Sequence, residues 1–267
     1  MARFLRFARP CPRQGDAQKI IDRLEVLGTE PARMVAKVIR NCATDDPCRS
    51  LACPMCRHWA QCAFVGAVAG VWNPTAANTT LTLIPLDGVL DYDALDDFDL
   101  LAFKRRHAVA LKRALPSGTM AVGAVEFSLN TFKNADPYWQ AHLHVIVEGD
   151  IDDAVEASIR ARYVCAPEVG IHRPVMIKVA RSSDLARAME YPLKDAGRRS
   201  SYIAAPKPQR NRKPYKANKY QPLNSRQACL FALMQGDYKV LEPLLLIGVK
   251  RVRTNDSHLI RLIRTLG

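Results

Sequence analysis

Two histidines spaced one residue apart, His142 and His144, open an apolar run continued by Val145, Ile146 and Val147. Side chains alternate across a strand, so imidazoles at i and i+2 leave one face and can grip one cation together. Met120 to Leu129 reads as a preceding strand, and the polar stretch holding Pro137 as its link to the next, which makes a long hairpin. With the midpoint near Ala135, Glu126 falls opposite His144 and Ser128 opposite His142, and Glu126 joins the histidine face. Two imidazoles and one carboxylate suit Mg²⁺ or Mn²⁺ bound to a phosphate substrate, the nitrogens favouring Mn²⁺. The plainer alternative is two histidines making ordinary hydrogen bonds on a sheet.

Tyr191 and Lys194 stand three positions apart near the end of a predicted helix, where they share a face. A neighbouring ammonium favours the phenolate, and a metal can polarise the phosphorus it attacks. On its own the pair is equally a piece of surface. Cys42, Cys48, Cys53 and Cys56 fall close together, the last two as Cys-Pro-Met-Cys. Four thiolates on short loops close a tetrahedral Zn²⁺ site, with His58 or Cys62 as substitutes for one of the four. The alternative is a set of free thiols.

The chain has 267 residues, 48% of them apolar, and a formal charge of +13. That composition excludes wholesale disorder and a pure disulfide scaffold. Much of the charge sits between Ala196 and Arg226: Arg198, Arg199, Lys207, Arg210, Arg212, Lys213, Lys216, Lys219 and Arg226, with no acidic residue among them. Interleaved Tyr202, Tyr215 and Tyr220 point to nucleic acid, since cations neutralise phosphates while aromatic faces stack on unpaired bases. Pro206, Pro208, Pro214 and Pro222 make it an extended arm rather than a helix; a solvated basic linker is the bland reading. The longest run without charged or strongly polar side chains, Cys62 to Trp72, is short of the roughly 20 residues that cross a bilayer. With Arg interrupting the apolar residues of the N-terminus, the expected location is the cytoplasm, without a membrane partner.

The elements that must position these groups follow from periodicity. Residues 17–40 read as a helical lead-in with Ile20, Ile21, Leu24 and Leu27 as its buried stripe. Thr79 to Ile84 reads as a strand, Asp91 to Leu115 as a helix with acids at the front and bases at the back, Asp152 to Tyr163 as a helix, Val175 to Ala180 as a strand and Ser183 to Glu190 as a helix. The fold class expected is α+β, a central antiparallel sheet with helices packed on it, close to the split β-α-β class and preceded by a small zinc-binding module. Residues 1–62 form the lead-in and zinc module, 63–197 the central domain, and 198–267 the basic arm and a C-terminal helical element. The apolar stretch Leu241 to Val249, followed by Lys250, Arg251 and Arg253, suits such a helix, a dimer contact or more DNA surface.

Thr79-Thr-Leu-Thr-Leu83, His142-Leu-His-Val-Ile-Val147 and Tyr191-Pro-Leu-Lys194, in that order behind a Cys-Pro-x-Cys cluster, resemble the HUH endonucleases, above all the rolling-circle replication initiators of small plasmids. The resemblance spans roughly residues 42–200. It implies a palm-like sheet, His142 and His144 as ligands of a catalytic Mn²⁺ or Mg²⁺, Tyr191 as nucleophile on a DNA phosphodiester, and Lys194 as its positioning or charge-stabilising partner. The products would be a 5′-phosphotyrosyl link and a 3′-hydroxyl primer. Partners implied are single-stranded or hairpin origin DNA and a host helicase and polymerase. Glu126 as third ligand rests on the hairpin register, not on the motif. Pro192 directly after the tyrosine, and Arg187 where relatives often carry a glutamate, depart from the family pattern. A transposase with the same chemistry, and a non-catalytic zinc-containing DNA-binding protein, are the competing readings.

Overall fold

A computed structural model describes residues 14–73, 75–132, 135–180, 198–203, 215–216, 221–252 and 260–265. Helices α1 (Gln14–Leu27), α2 (Glu30–Arg40) and α3 (Pro54–Ala69) come first. The lead-in expected as one helical stretch is two helices: Gly28 takes a left-handed φ of 69°, and Thr29 caps the second by accepting from the Ala32 amide. Ile21 and Leu24 are buried as the stripe requires, whereas Leu27, in the last position before the break, is exposed.

Strand β1 (Asn78–Leu83) is followed by β2 (Val89–Asp91), α4 (Leu100–Ala114), β3 (Ala121–Phe132), β4 (Ala135–Glu148), α5 (Asp153–Arg160) and β5 (Val175–Ala180). The helix expected from Asp91 begins only at Leu100. Asp99 accepts from the Ala102 amide as its N-cap, and the aspartates before it form the turns leading in. After β5 come β6 (Arg198–Ile203), β7 (Tyr215–Lys216), β8 (Gln221–Pro222), α6 (Ser225–Gly236), β9 (Leu244–Ile247), β10 (Val249–Val252) and β11 (Arg261–Arg264). The apolar stretch read as a terminal helix is strand: Leu244 to Ile247 pair with Ala121 to Ala124, and the basic residues after it lie in the β10–β11 pair. Helix does occur in this region, at α6, held by a reciprocal Asn224–Gln227 capping box.

The architecture is α+β, with a mostly antiparallel sheet ordered β5-β1-β4-β3-β6-β7; β2 pairs with β4, β8 with β6 and β9 with β3. Among the described strands only β6 runs parallel to its neighbour, β3, from Ser128 alongside Arg198 to Phe132 alongside Tyr202. The start of the basic arm is thus a strand of the central sheet. Alternation on β3 and β4 separates the faces. Phe127 meets Phe98 and Phe231 edge-on, and Trp139 stacks on Phe231, so the face carrying Phe127 and Trp139 is covered by α6 and, through the Phe98–Phe103 contact, by α4. Burying aromatics of this size removes about 150–250 Å² each from water and dominates the core.

The central hairpin departs from the expected register by two residues. Glu126 stands opposite His142, Ala124 opposite His144 and Ser128 opposite Gln140. β3 runs on to Phe132 and β4 begins at Ala135, ahead of Pro137, so the chain reverses earlier than the sequence suggests. Pro137 falls at an irregularity where Asn130 pairs with Tyr138 and Phe132 with Ala135, a place where a missing amide hydrogen breaks no ladder bond. An even offset leaves every side chain on its expected face.

The turn at Asp87 is clamped to α4. His107 Nε2 lies 3.2 Å from Asp87 Oδ1 and its Nδ1 3.3 Å from the Tyr163 hydroxyl, while Arg106 pairs with Asp87 at 2.6 Å. Gly88 is required there, because a Cβ would sit 2.3 Å from the Ala141 carbonyl oxygen.

Candidate functional site

Glu126, His142 and His144 share the sheet face opposite Phe127 and Trp139. Glu126 Oε2 lies 3.5 Å from His144 Nε2 and 3.8 Å from His142 Nε2, and the two imidazoles meet almost perpendicularly with centroids 4.9 Å apart. Donors ~2.1 Å from one ion at angles of about 90–110° stand ~3.0–3.4 Å apart, so the two carboxylate–imidazole separations are close to what coordination needs, with all three donor atoms within 4.8 Å of one another. Their side chains are only 13–20% exposed, which weakens solvent screening of the carboxylate.

The outer ring nitrogens are held. His142 Nδ1 lies 3.3 Å from the Gln140 carbonyl oxygen, which can only accept, so this nitrogen is the donor there and Nε2 is the one that faces Glu126. His144 Nδ1 lies 2.9 Å from Thr82 Oγ1, its direct cross-strand partner on β1. Two ring nitrogens converging on one carboxylate make a donor set for a cation, and hydrogen-bonded outer nitrogens are how metal-binding imidazoles are commonly oriented. The donor set therefore fits a divalent ion. Thr82 belongs to the Thr79-Thr-Leu-Thr-Leu83 strand motif, but only its place opposite His144 shows what its hydroxyl does. Beside the triad on the same face, Gln140 accepts from Asn130 Nδ2 at 3.3 Å, and its own buried Nε2 lacks a hydrogen-bond partner.

The structure also brings Cys42, Cys48, Cys53 and Cys56 together, with all four sulfurs within 4.8 Å of one another. Cys56 Sγ is 3.6 Å from both Cys42 Sγ and Cys48 Sγ. Sulfurs ~2.3 Å from a tetrahedral zinc stand ~3.8 Å apart, whereas a disulfide needs about 2.05 Å; this group could hold a metal ion such as zinc. Backbone amides help: the Cys48 amide points at Cys42 Sγ and the Arg49 amide at Cys56 Sγ, 3.3 Å away. The second contact depends on Arg49 adopting a left-handed φ of 57°. Hydrogen bonds from Cys48 and then Cys56 hold the Cys53 thiol far below its ordinary range; the bond to Cys53, with burial, pushes Cys48 up, and the bonds to Cys48 and then Cys53, with burial, push Cys56 up. A zinc ion takes the place of such shared protons. His58 and Cys62 are not part of the group; they face each other at 3.8 Å one turn along α3.

Tyr191 and Lys194 lie outside the described residues, as do Lys207, Arg210, Arg212, Lys213, Lys219 and the helix expected from Ser183 to Glu190. Arg198 and Arg199 belong to β6 and Lys216 to β7. Among the described residues no helix is long and apolar enough to cross a membrane. No family model matches the chain, and no curated protein or solved structure matches it either.

Proposed function

We propose that the protein is a metal-dependent DNA nicking and joining enzyme of the HUH type that initiates rolling-circle replication of a plasmid. The observation that carries this reading is the Glu126–His142–His144 triad, with one imidazole nitrogen of each ring held from behind and the other aimed at the carboxylate. Glu126 Oε2 and the two Nε2 atoms would hold Mn²⁺ or Mg²⁺. Lewis-acid polarisation of the scissile phosphate is the chemistry such an ion supplies when bound.

Tyr191 is the nucleophile in this reading. Its oxygen bonds to phosphorus as the P–O3′ bond breaks; the phenolic proton goes to solvent, and the 3′ oxygen leaves as a hydroxyl by taking a proton from water. The phosphotyrosyl bond conserves the energy of the cleaved link for rejoining. Lys194 favours the phenolate. The strand ends that bracket Tyr191 in sequence, Ala180 of β5 and Arg198 of β6, flank the triad strands on opposite sides. The arm residues hold single-stranded origin DNA.

The test is adduct formation. With Mn²⁺ and single-stranded oligonucleotides tiled across the DNA flanking the gene, the wild type should form a covalent protein–DNA adduct on one of them, and Tyr191→Phe should not. An adduct formed by Tyr191→Phe removes the assigned nucleophile. The cysteine group and the basic charge by themselves favour a non-catalytic zinc protein that binds DNA. Metal titration separates the two, since a chain that binds zinc but no second divalent ion, and cleaves nothing, has no catalytic centre.

A further inference from the structure

The outward side of α4 and the region beyond α5 carry charge of one sign. A cavity of about 470 Å³ is lined by Arg105, Arg106, Arg113 and Arg162 over a floor of Ala102, Val109 and Ala110. Beside it, towards the edge strand β5, a second cavity of about 610 Å³ is lined by Arg160, His172, Arg173 and Lys178. Among the described residues no carboxylate lines either one. Arg106 is already paired with Asp87 and Arg160 with Glu156, each at 2.6 Å. Arg105, Arg113, Arg162, Arg173 and Lys178 are all exposed.

Like charges gathered on a fixed surface repel one another and draw a polyanion. Arg105 and Arg113 are two helical turns apart, ~12 Å along the axis, about the width of the B-DNA major groove, so they can reach phosphates on both of its banks. Among the described residues the α4 cavity offers no aromatic, and the second offers His172 alone, since Tyr163 is buried with its hydroxyl engaged by His107. Unpaired bases find little to stack on over most of this surface, which favours contact to the sugar–phosphate backbone.

We infer that this surface is a second nucleic-acid contact that grips the backbone of duplex DNA without reading its sequence. Its α4 part lies on the side of the sheet turned away from the triad, because α4 packs through Phe103 and Phe98 onto Phe127, and the second cavity takes it round the edge strand, where Lys178 opposite Thr80 stands on the triad's side. Its role as the hold on duplex flanking a nicked strand rests on the proposed nicking activity; the binding itself does not.

The test uses the full chain and a short fluorescein-labelled duplex of arbitrary sequence, followed by anisotropy through a KCl series. The variant R105Q/R113Q/R162Q should bind about 10-fold or more weakly at low salt. The slope of log affinity against log salt should fall by ~2.7, at ~0.9 per lost phosphate contact. The charge-preserving R105K/R113K/R162K should keep the wild-type slope. If the glutamine variant loses its helical circular dichroism, R173Q/K178Q supplies the same comparison from the second cavity, with a fall of ~1.8. An unchanged slope in a folded variant overturns the inference. So does displacement of the duplex by poly-L-glutamate at equal charge, which marks a general polyanion sink. Tyr191→Phe should leave duplex affinity intact and R105Q/R113Q/R162Q should leave the adduct intact, so failure of one idea is visible apart from failure of the other.

Discussion

Thr82 and His144 face each other across β1 and β4, with the threonine hydroxyl 2.9 Å from the imidazole Nδ1. This contact fixes the ring whose other nitrogen points at Glu126. Thr82→Val keeps the shape and removes the hydroxyl. Mn²⁺ affinity, measured by calorimetry, should fall about 10–100-fold, the usual loss when an orienting partner is removed. Thr82→Ser should restore most of it, which a purely packing role would not predict.

Glu126→Gln and His144→Ala remove ligands outright. Each should abolish Mn²⁺ binding at this centre while leaving the zinc content, read by elemental analysis, unchanged. Loss of both metals together would show that the variant has unfolded rather than lost a ligand.

Cys53→Ser should release zinc and lower the melting temperature. A loss of roughly 3 kcal/mol, modest for a structural zinc, corresponds to about 6–12 °C in a chain of this size. Acid should release the ion from the wild type as well, because protons compete for the thiolates that zinc binds. Retention of zinc by Cys53→Ser would mean that three cysteines suffice.

Gly123 lies against the backbone of the histidine strand, where an added Cβ would stand 2.2 Å from the His144 carbonyl oxygen and 2.8 Å from the Val145 Cα. Neither atom belongs to a flexible side chain. Gly123→Ala should cost about 2–4 kcal/mol in urea unfolding and weaken Mn²⁺ binding too, since β3 and β4 must separate to admit the methyl group.

Asp87 gives a pH signature. Burial alone raises its carboxyl, but the hydrogen bond from His107 and the charges of His107 and Arg106 outweigh it and hold the group below its ordinary value. A depressed carboxyl contributes stability in full above the unfolded value of about 4 and loses it as pH falls through the folded one. The pair is partly open to solvent, so Asp87→Asn should cost only about 0.5–1 kcal/mol at pH 7. The gap in melting temperature from the wild type should close below about pH 4.

The triad was legible in sequence because strand alternation is insensitive to an even error. Glu126 was placed opposite the wrong histidine, yet on the correct face. Strand length near Pro137 was not legible, since proline signals a break and tertiary pairing carried the strand past it. Leu241 to Val249 gave no period that separates strand from helix, and its pairing with β3 is a contact across more than a hundred residues. The cysteines were legible as a group. The exclusion of His58 and Cys62 was not: it comes from the course of α3, which turns both away from the sulfurs.

The cysteine module packs on the far end of the chain. Arg57 of α3 donates to Gln235 of α6 at 3.0 Å across 178 positions, Cys229 donates to the Arg23 carbonyl, and Ala232 joins the core beneath Cys53 and Cys56. As the polypeptide leaves the ribosome, its thiols therefore emerge long before the helix that seals them. Newly made cysteines can meet zinc while one wall of their housing is still unsynthesised.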